Sequence, residues 1–115
     1  MRTAFLIVSL LFSQLTYPEI KSAEIDGYAI EYQVLGSGSE TVLLEAGGGG
    51  GLADWNDISQ ILSKTATVIH YSRVGNGNSS KPETMFVVED YADHLKSLLD
   101  HLDVKKAIHV AHSYG

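Results

Sequence analysis

The sequence predicts an α/β fold: three layers, with a mixed, mostly parallel sheet that opens in an antiparallel hairpin and is covered by crossover helices. Three observations carry this expectation. Short apolar runs at 41–46, 66–71 and 107–111 have the length of strands covered on both faces. The segments between them carry helical periodicity. Ahead of the first run, the turn dipeptide Asp26-Gly27 precedes a stretch of alternating polarity, the mark of a hairpin.

Each element follows from its residues. Tyr28, Ile30, Tyr32 and Val34 alternate with Ala29, Glu31 and Gln33, which predicts a half-buried strand. After the loop Gly36–Glu40, Thr41–Ala46 reads as a buried strand that runs into five glycines, Gly47 to Gly51. Asp54 is placed to cap a helix with Trp55, Ile58, Ile61 and Leu62 on its apolar face, ending near Lys64. Trp55 is read as a packing residue. Ala66–Tyr71 forms the next strand and closes in the loop Ser72–Ser79. Val88 through Leu102 sets Val88, Tyr91, Ala92, Leu95, Leu98, Leu99 and Leu102 on one stripe, opposite Glu89, Asp90, Asp93, Lys96 and Asp100. The acidic set reads as a solvated helix face, so no metal site is assigned. Ala107–Ala111 is the last strand.

Composition narrows the function classes. The 115 residues, 44% hydrophobic and 19% charged, have the make-up of one globular unit. A net charge of −6 with scattered Lys and Arg argues against a nucleic-acid partner. The absence of cysteine excludes disulfides, thiolate catalysis and cysteine-type zinc sites. At the start, Arg2 precedes the apolar run Ala4–Phe12, too short to span a membrane but of signal-core length. Residues 1–23 therefore read as a signal peptide or N-terminal anchor, with Ala23 the last residue removed, although Lys21 is a poor fit to a cleavage site. The expected location is secreted or periplasmic, or membrane-anchored if the segment stays uncleaved.

The chain closes on Ala111-His112-Ser113-Tyr114-Gly115: small residue, any residue, serine, any residue, glycine, directly after a strand. This is the pattern of a nucleophile elbow, where a sharp strand-to-helix turn strains the serine backbone and demands small flanking residues. Together with the glycine runs after the two preceding strands, it makes residues 25–115 resemble the N-terminal half of an α/β-hydrolase. Leu44-Glu45-Ala46-Gly47-Gly48-Gly49 stands at that family's oxyanion loop, with Ala46 in place of the usual histidine. Tyr71–Ser79 is similar to the Asp-Arg-Pro-Gly-x-Gly-x-Ser stretch, with Ser72 and Val74 for the aspartate and proline, a change expected to loosen the turn.

The resemblance implies a serine hydrolase, with residues 24–115 the N-terminal part of its domain and no cofactor or metal. Ser113 is the nucleophile toward a small-molecule ester or amide. The oxyanion hole is made by the backbone N–H groups of Tyr114 and Gly48, with Gly49 the fallback. The family's chain order puts the triad Asp or Glu and then the His after the serine, so the resemblance implies that both lie beyond Gly115 and that residues 1–115 alone are inactive. His70, His94, His101, His109 and His112 are expected in core-edge or surface roles, and the edge of the sheet is expected to be open. Two alternatives stand beside this reading. Gly48-x-Gly50-x-x-Ala53 between a strand and a helix, with Arg73 downstream, fits a loose NADP-binding Rossmann fingerprint. The scaffold also hosts non-catalytic binding proteins.

Overall fold

The computed structural model describes residues 18–115, so the apolar run assigned to a signal lies outside the described residues. The chain runs β1 (Lys21–Ile25), β2 (Tyr28–Leu35), β3 (Thr41–Glu45), a 3-10 turn (Leu52–Trp55), α1 (Asn56–Leu62), β4 (Thr67–Tyr71), α2 (Val88–His101) and β5 (Ile108–Ala111). The five strands form one sheet in the order β1-β2-β4-β3-β5.

The hairpin forms because Asp26 and Gly27 both take positive φ, 49° and 88°, the twist that a two-residue connection requires. β1 pairs with β2 from Ile25↔Tyr28 to Lys21↔Tyr32. The boundary after Ala23 therefore falls inside β1, whose ladder begins at Lys21. β2 also runs antiparallel to β4, from Tyr32↔Tyr71 to Leu35↔Val68, so the antiparallel part of the sheet extends past the hairpin. Parallel pairing sets in at β3, with β4 on one side and β5 on the other.

The buried strands alternate between two cores. Ile30, Leu43, Ile69 and Tyr71 meet Leu98 and Leu99 of α2 on one face, while Leu35, Val42, Leu44 and Val68 meet Trp55 and Leu62 on the other. This gives the three layers. β2 is more deeply covered than its alternation predicts: Glu31, on the polar side of the pattern, is buried.

The first helix differs from expectation. Asp54 is not its cap. It sits inside the 3-10 turn, where its Oδ2 accepts the Gly51 N–H at 3.3 Å. The tighter winding of that turn shifts the phase of α1. Leu52 and Ser59 point inward, while Ile58 and Ile61 stand 45% and 64% exposed. The stripe on α2 is also divided. His94 and Leu98 are buried, with His94 Nε2–H donated to the Ile25 carbonyl at 2.7 Å, whereas Val88 and Ala92 are exposed. All four residues of β5, which pairs with β3, are exposed.

Candidate active site

The elbow is built by β5 and held by β3. Ser113 has φ 55°, a left-handed backbone that costs a side-chain-bearing residue about 1–2 kcal/mol. The turn is fixed on both sides of it. The His112 N–H donates to the Glu45 carbonyl at 3.1 Å, and the Gly115 N–H to the His112 carbonyl at 3.0 Å. Glycine at 115 is a matter of space, since a Cβ there would lie 2.9 Å from the carbonyl oxygens of both Glu45 and Ala46. Ser113 stands exposed at the tip.

The glycine loop after β3 lies against this turn. A Cβ on Gly47 would approach Ser113 Cβ to 3.4 Å, and one on Gly48 would lie 3.6 Å from Tyr114 Cβ. The loop turns through Gly47–Gly50, closed by the Gly50 N–H on the Gly47 carbonyl at 3.1 Å. Ser113, Tyr114 and Gly48 are thus brought together. Gly49 is not: it sits at the exposed tip of the turn, with nothing within 4 Å of its Cβ direction. Beside the elbow, Ala46, Gly47, His112, Asp54, Trp55 and Ile58 line a cavity of about 320 Å³.

Beneath the loop lies a buried polar cluster. Arg73 donates from Nη1 to the Ala46 carbonyl at 2.8 Å and from Nη2 to the Gly47 carbonyl at 2.7 Å. Its charge is met by Glu45, whose Oε1 is 3.3 Å from Nη1. The same carboxylate accepts the Tyr71 hydroxyl at 2.9 Å and His109 Nε2–H at 2.6 Å. Burial, and then the neighbouring Glu45 charge, keep the Tyr71 phenol protonated well above its ordinary range. The guanidinium also lies 5.7 Å and 5.5 Å from the ring centres of Tyr91 and Tyr114.

A second cluster ties down the far end of the loop. The Ser72 hydroxyl accepts the Leu52 N–H at 2.8 Å and donates to Glu31 Oε1 at 2.7 Å. Glu31 Oε1 also accepts the Asn78 N–H at 3.0 Å. From the opposite side, His70 Nδ1–H meets the Leu52 carbonyl at 2.9 Å. Burial lowers the His70 pKa, against the pull of that carbonyl. The turn after β4 carries its two departures from the family pattern within these contacts. Ser72 relays the Leu52 N–H to a carboxylate supplied by β2, and Val74 is buried in the α2-side core. Burial alone raises the Glu31 pKa, but the Asn78 and Ser72 hydrogen bonds outweigh it, and the net shift is downward.

Sequence reasoning named the serine and the glycines but missed the supporting acids and the hold of Arg73 on the glycine loop. A signal was available: Glu45 ends an otherwise apolar strand, and Arg73 is the one cation in the loop of the adjacent strand. Two opposite charges at the ends of neighbouring buried strands imply a pair.

A strained serine turn after β5, a glycine loop against it, and a sheet of order β1-β2-β4-β3-β5 are the features of a partial α/β-hydrolase scaffold. The chain belongs to the alpha/beta hydrolase fold family, which it matches over residues 40–115. It is 33% identical over 98 residues to an uncharacterised protein of Mycobacterium tuberculosis, covering 85% of this chain and 28% of that one. It is 33% identical over 93 residues to the soluble epoxide hydrolase of a Corynebacterium species, covering 81% of this chain and 32% of the enzyme. Among solved structures, the epoxide hydrolase CorEH superposes with a TM-score of 0.81 at 29% identity, over 86% of this chain and 35% of that one. The chain thus spans about a third of the length of these relatives. The dinucleotide-binding alternative gives way here, because the Rossmann strand order is 3-2-1-4-5-6 in an open parallel sheet and has no place for β2 running against β4.

Proposed function

We propose that the protein is a serine hydrolase that transfers the acyl group of a small-molecule ester or amide to water. The observation that carries this reading is a hydroxyl at the tip of a left-handed turn, with the Gly48 backbone beside the residue that follows it. Ser113 Oγ attacks the acyl carbon while a histidine takes its proton. The carbonyl oxygen becomes an oxyanion that accepts the N–H groups of Gly48 and Tyr114. Collapse breaks the bond to the leaving group, which takes the proton from the histidine. Water then repeats the sequence on the serine ester and releases the acid.

The residue type at the elbow separates this reaction from the one named for the epoxide hydrolase relatives. A serine oxygen that opened an epoxide would form an ether, which water does not cleave under these conditions. A serine that attacks an acyl group forms an ester, which turns over.

In the family's chain order the acid and then the general base follow the serine. His70 and His94 hold backbone carbonyls, and His109 holds Glu45, so these rings are engaged elsewhere. The decisive experiment is treatment of the full-length protein with a fluorophosphonate, followed by peptide mapping. The label is expected on Ser113; labelling at another serine, or at none, would favour a non-catalytic member of the fold.

We further propose export, on the strength of Arg2 and the apolar run Ala4–Phe12. Processing before Lys21 would leave β1 whole. Amino-terminal sequencing of the cell-envelope or secreted form is expected to start at or before Lys21. A protein found only in the cytosol would defeat the proposal.

A further inference from the structure

We infer that Arg73 is the positioning residue of the oxyanion loop, acting by fixing the direction of the Gly48 N–H. This rests on the reading of Ser113 as an acyl-transfer nucleophile. A peptide unit is planar, and in the trans form its C=O and N–H point in opposite directions. No cis peptide occurs among the described residues. Because Arg73 Nη2 holds the Gly47 carbonyl at 2.7 Å, the N–H of Gly48 in the same peptide faces away from the guanidinium. The preceding peptide is held alike, through the Ala46 carbonyl at 2.8 Å.

The hold matters because glycine does not supply it. With no Cβ at 47, 48 or 49, the loop has little steric resistance to rotating a peptide, and a half-turn would replace the donor by a carbonyl oxygen facing the developing anion. Rotation of the Gly47–Gly48 peptide must break a charge-assisted hydrogen bond at a cation only 6% exposed. The cation itself cannot drift. Glu45 meets Nη1, Tyr71 and His109 hold Glu45 in turn, and Tyr91 and Tyr114 flank the guanidinium. Two carbonyls served by two nitrogens of one planar group require a fork, which an ammonium lacks.

The experiment is Arg73→Lys in the full-length protein, with kcat expressed per serine titrated by a phosphonate. A fall of about 10- to 100-fold in kcat per site is expected, short of the roughly 10²- to 10³-fold for losing an oxyanion donor outright, with KM within about twofold. Affinity for an alkyl boronic acid, which forms a tetrahedral adduct on the serine, is expected to fall by the same factor as kcat. A merely structural Arg73 would lower the melting temperature and the number of titratable sites while leaving kcat per site unchanged, and that result overturns the inference. So does a rise in KM at constant kcat. If Arg73→Lys does not fold, Glu45→Gln, which keeps the shape but weakens the hold, is expected to give the same signature at about 3- to 10-fold; full kcat per site in that variant also overturns it. Turnover that survives in Ser113→Ala would instead bring down the nucleophile reading itself, a failure distinct from full activity in Arg73→Lys.

Discussion

Ser113→Ala is expected to lower kcat for a short-chain aryl ester by about 10⁶-fold in the full-length protein, near 8 kcal/mol of transition-state stabilisation. On the proposed mechanism the size follows from covalency: without the hydroxyl no acyl-enzyme forms, and only the oxyanion donors and substrate binding remain, worth about 10³- to 10⁴-fold over water. The substitution is also clean. Alanine and serine carry the same Cβ, so the left-handed turn at φ 55° is strained to a similar degree in both. The bonds that hold the elbow, from the His112 and Gly115 N–H groups, are made by backbone. Stability and KM are therefore expected to stay near those of the parent, and steady-state kinetics beside a melting curve reads both. Activity within tenfold of the parent would remove Ser113 from the chemistry.

Gly77→Ala is expected to destabilise the fold by about 3 kcal/mol, read as a shift in the urea midpoint at pH 7. Two costs combine. Gly77 has φ 50°, which costs alanine about 1–2 kcal/mol. Its Cβ would also lie 2.5 Å from Ser72 Oγ and press on Glu31 Oε1, forcing apart the hydrogen bonds that anchor Leu52 and Asn78. Breaking a buried bond to a charged group costs about 1.5–3 kcal/mol. Gly27→Ala is the control, because φ is 88° there but nothing lies within 4 Å of the new Cβ, so only the backbone cost remains. Equal losses in the two variants would show that the Glu31–Ser72 contact contributes nothing. The effect should also depend on acid. Glu31 has a folded pKa below its ordinary value of 4.5, so its contribution is complete above that value and is lost as pH falls through the folded pKa. The gap between parent and Gly77→Ala is expected to narrow in that acid window.

The strands and the elbow were legible because their signals are local. Leu43, Leu44, Val68 and Ile69 sit in runs too apolar to be anything but covered, and a serine between small residues after such a run has few other readings. The phase of α1 was not legible. It is set by Leu52, whose N–H and C=O are held by Ser72 and His70 from another strand, and no window around residues 54–62 contains that information. Glu31 was misjudged for a related reason: alternation reports which residues are polar, whereas burial of its carboxylate depends on donors brought from 41 to 47 residues away. The candidate site was thus readable as a serine after a strand and the glycines that make room beside it. The residues that orient them emerge only when the sheet is assembled.

The pairing of β5 with β3 also carries a kinetic consequence. The elbow hangs from the Glu45 carbonyl, and Glu45 meets His109 across 64 residues of chain. Nothing near Ser113 in sequence holds the serine in its left-handed turn before that parallel pair closes, and long-range parallel pairing is among the slower events of folding. The left-handed turn at Ser113 is therefore expected to form late, after the hairpin and α2.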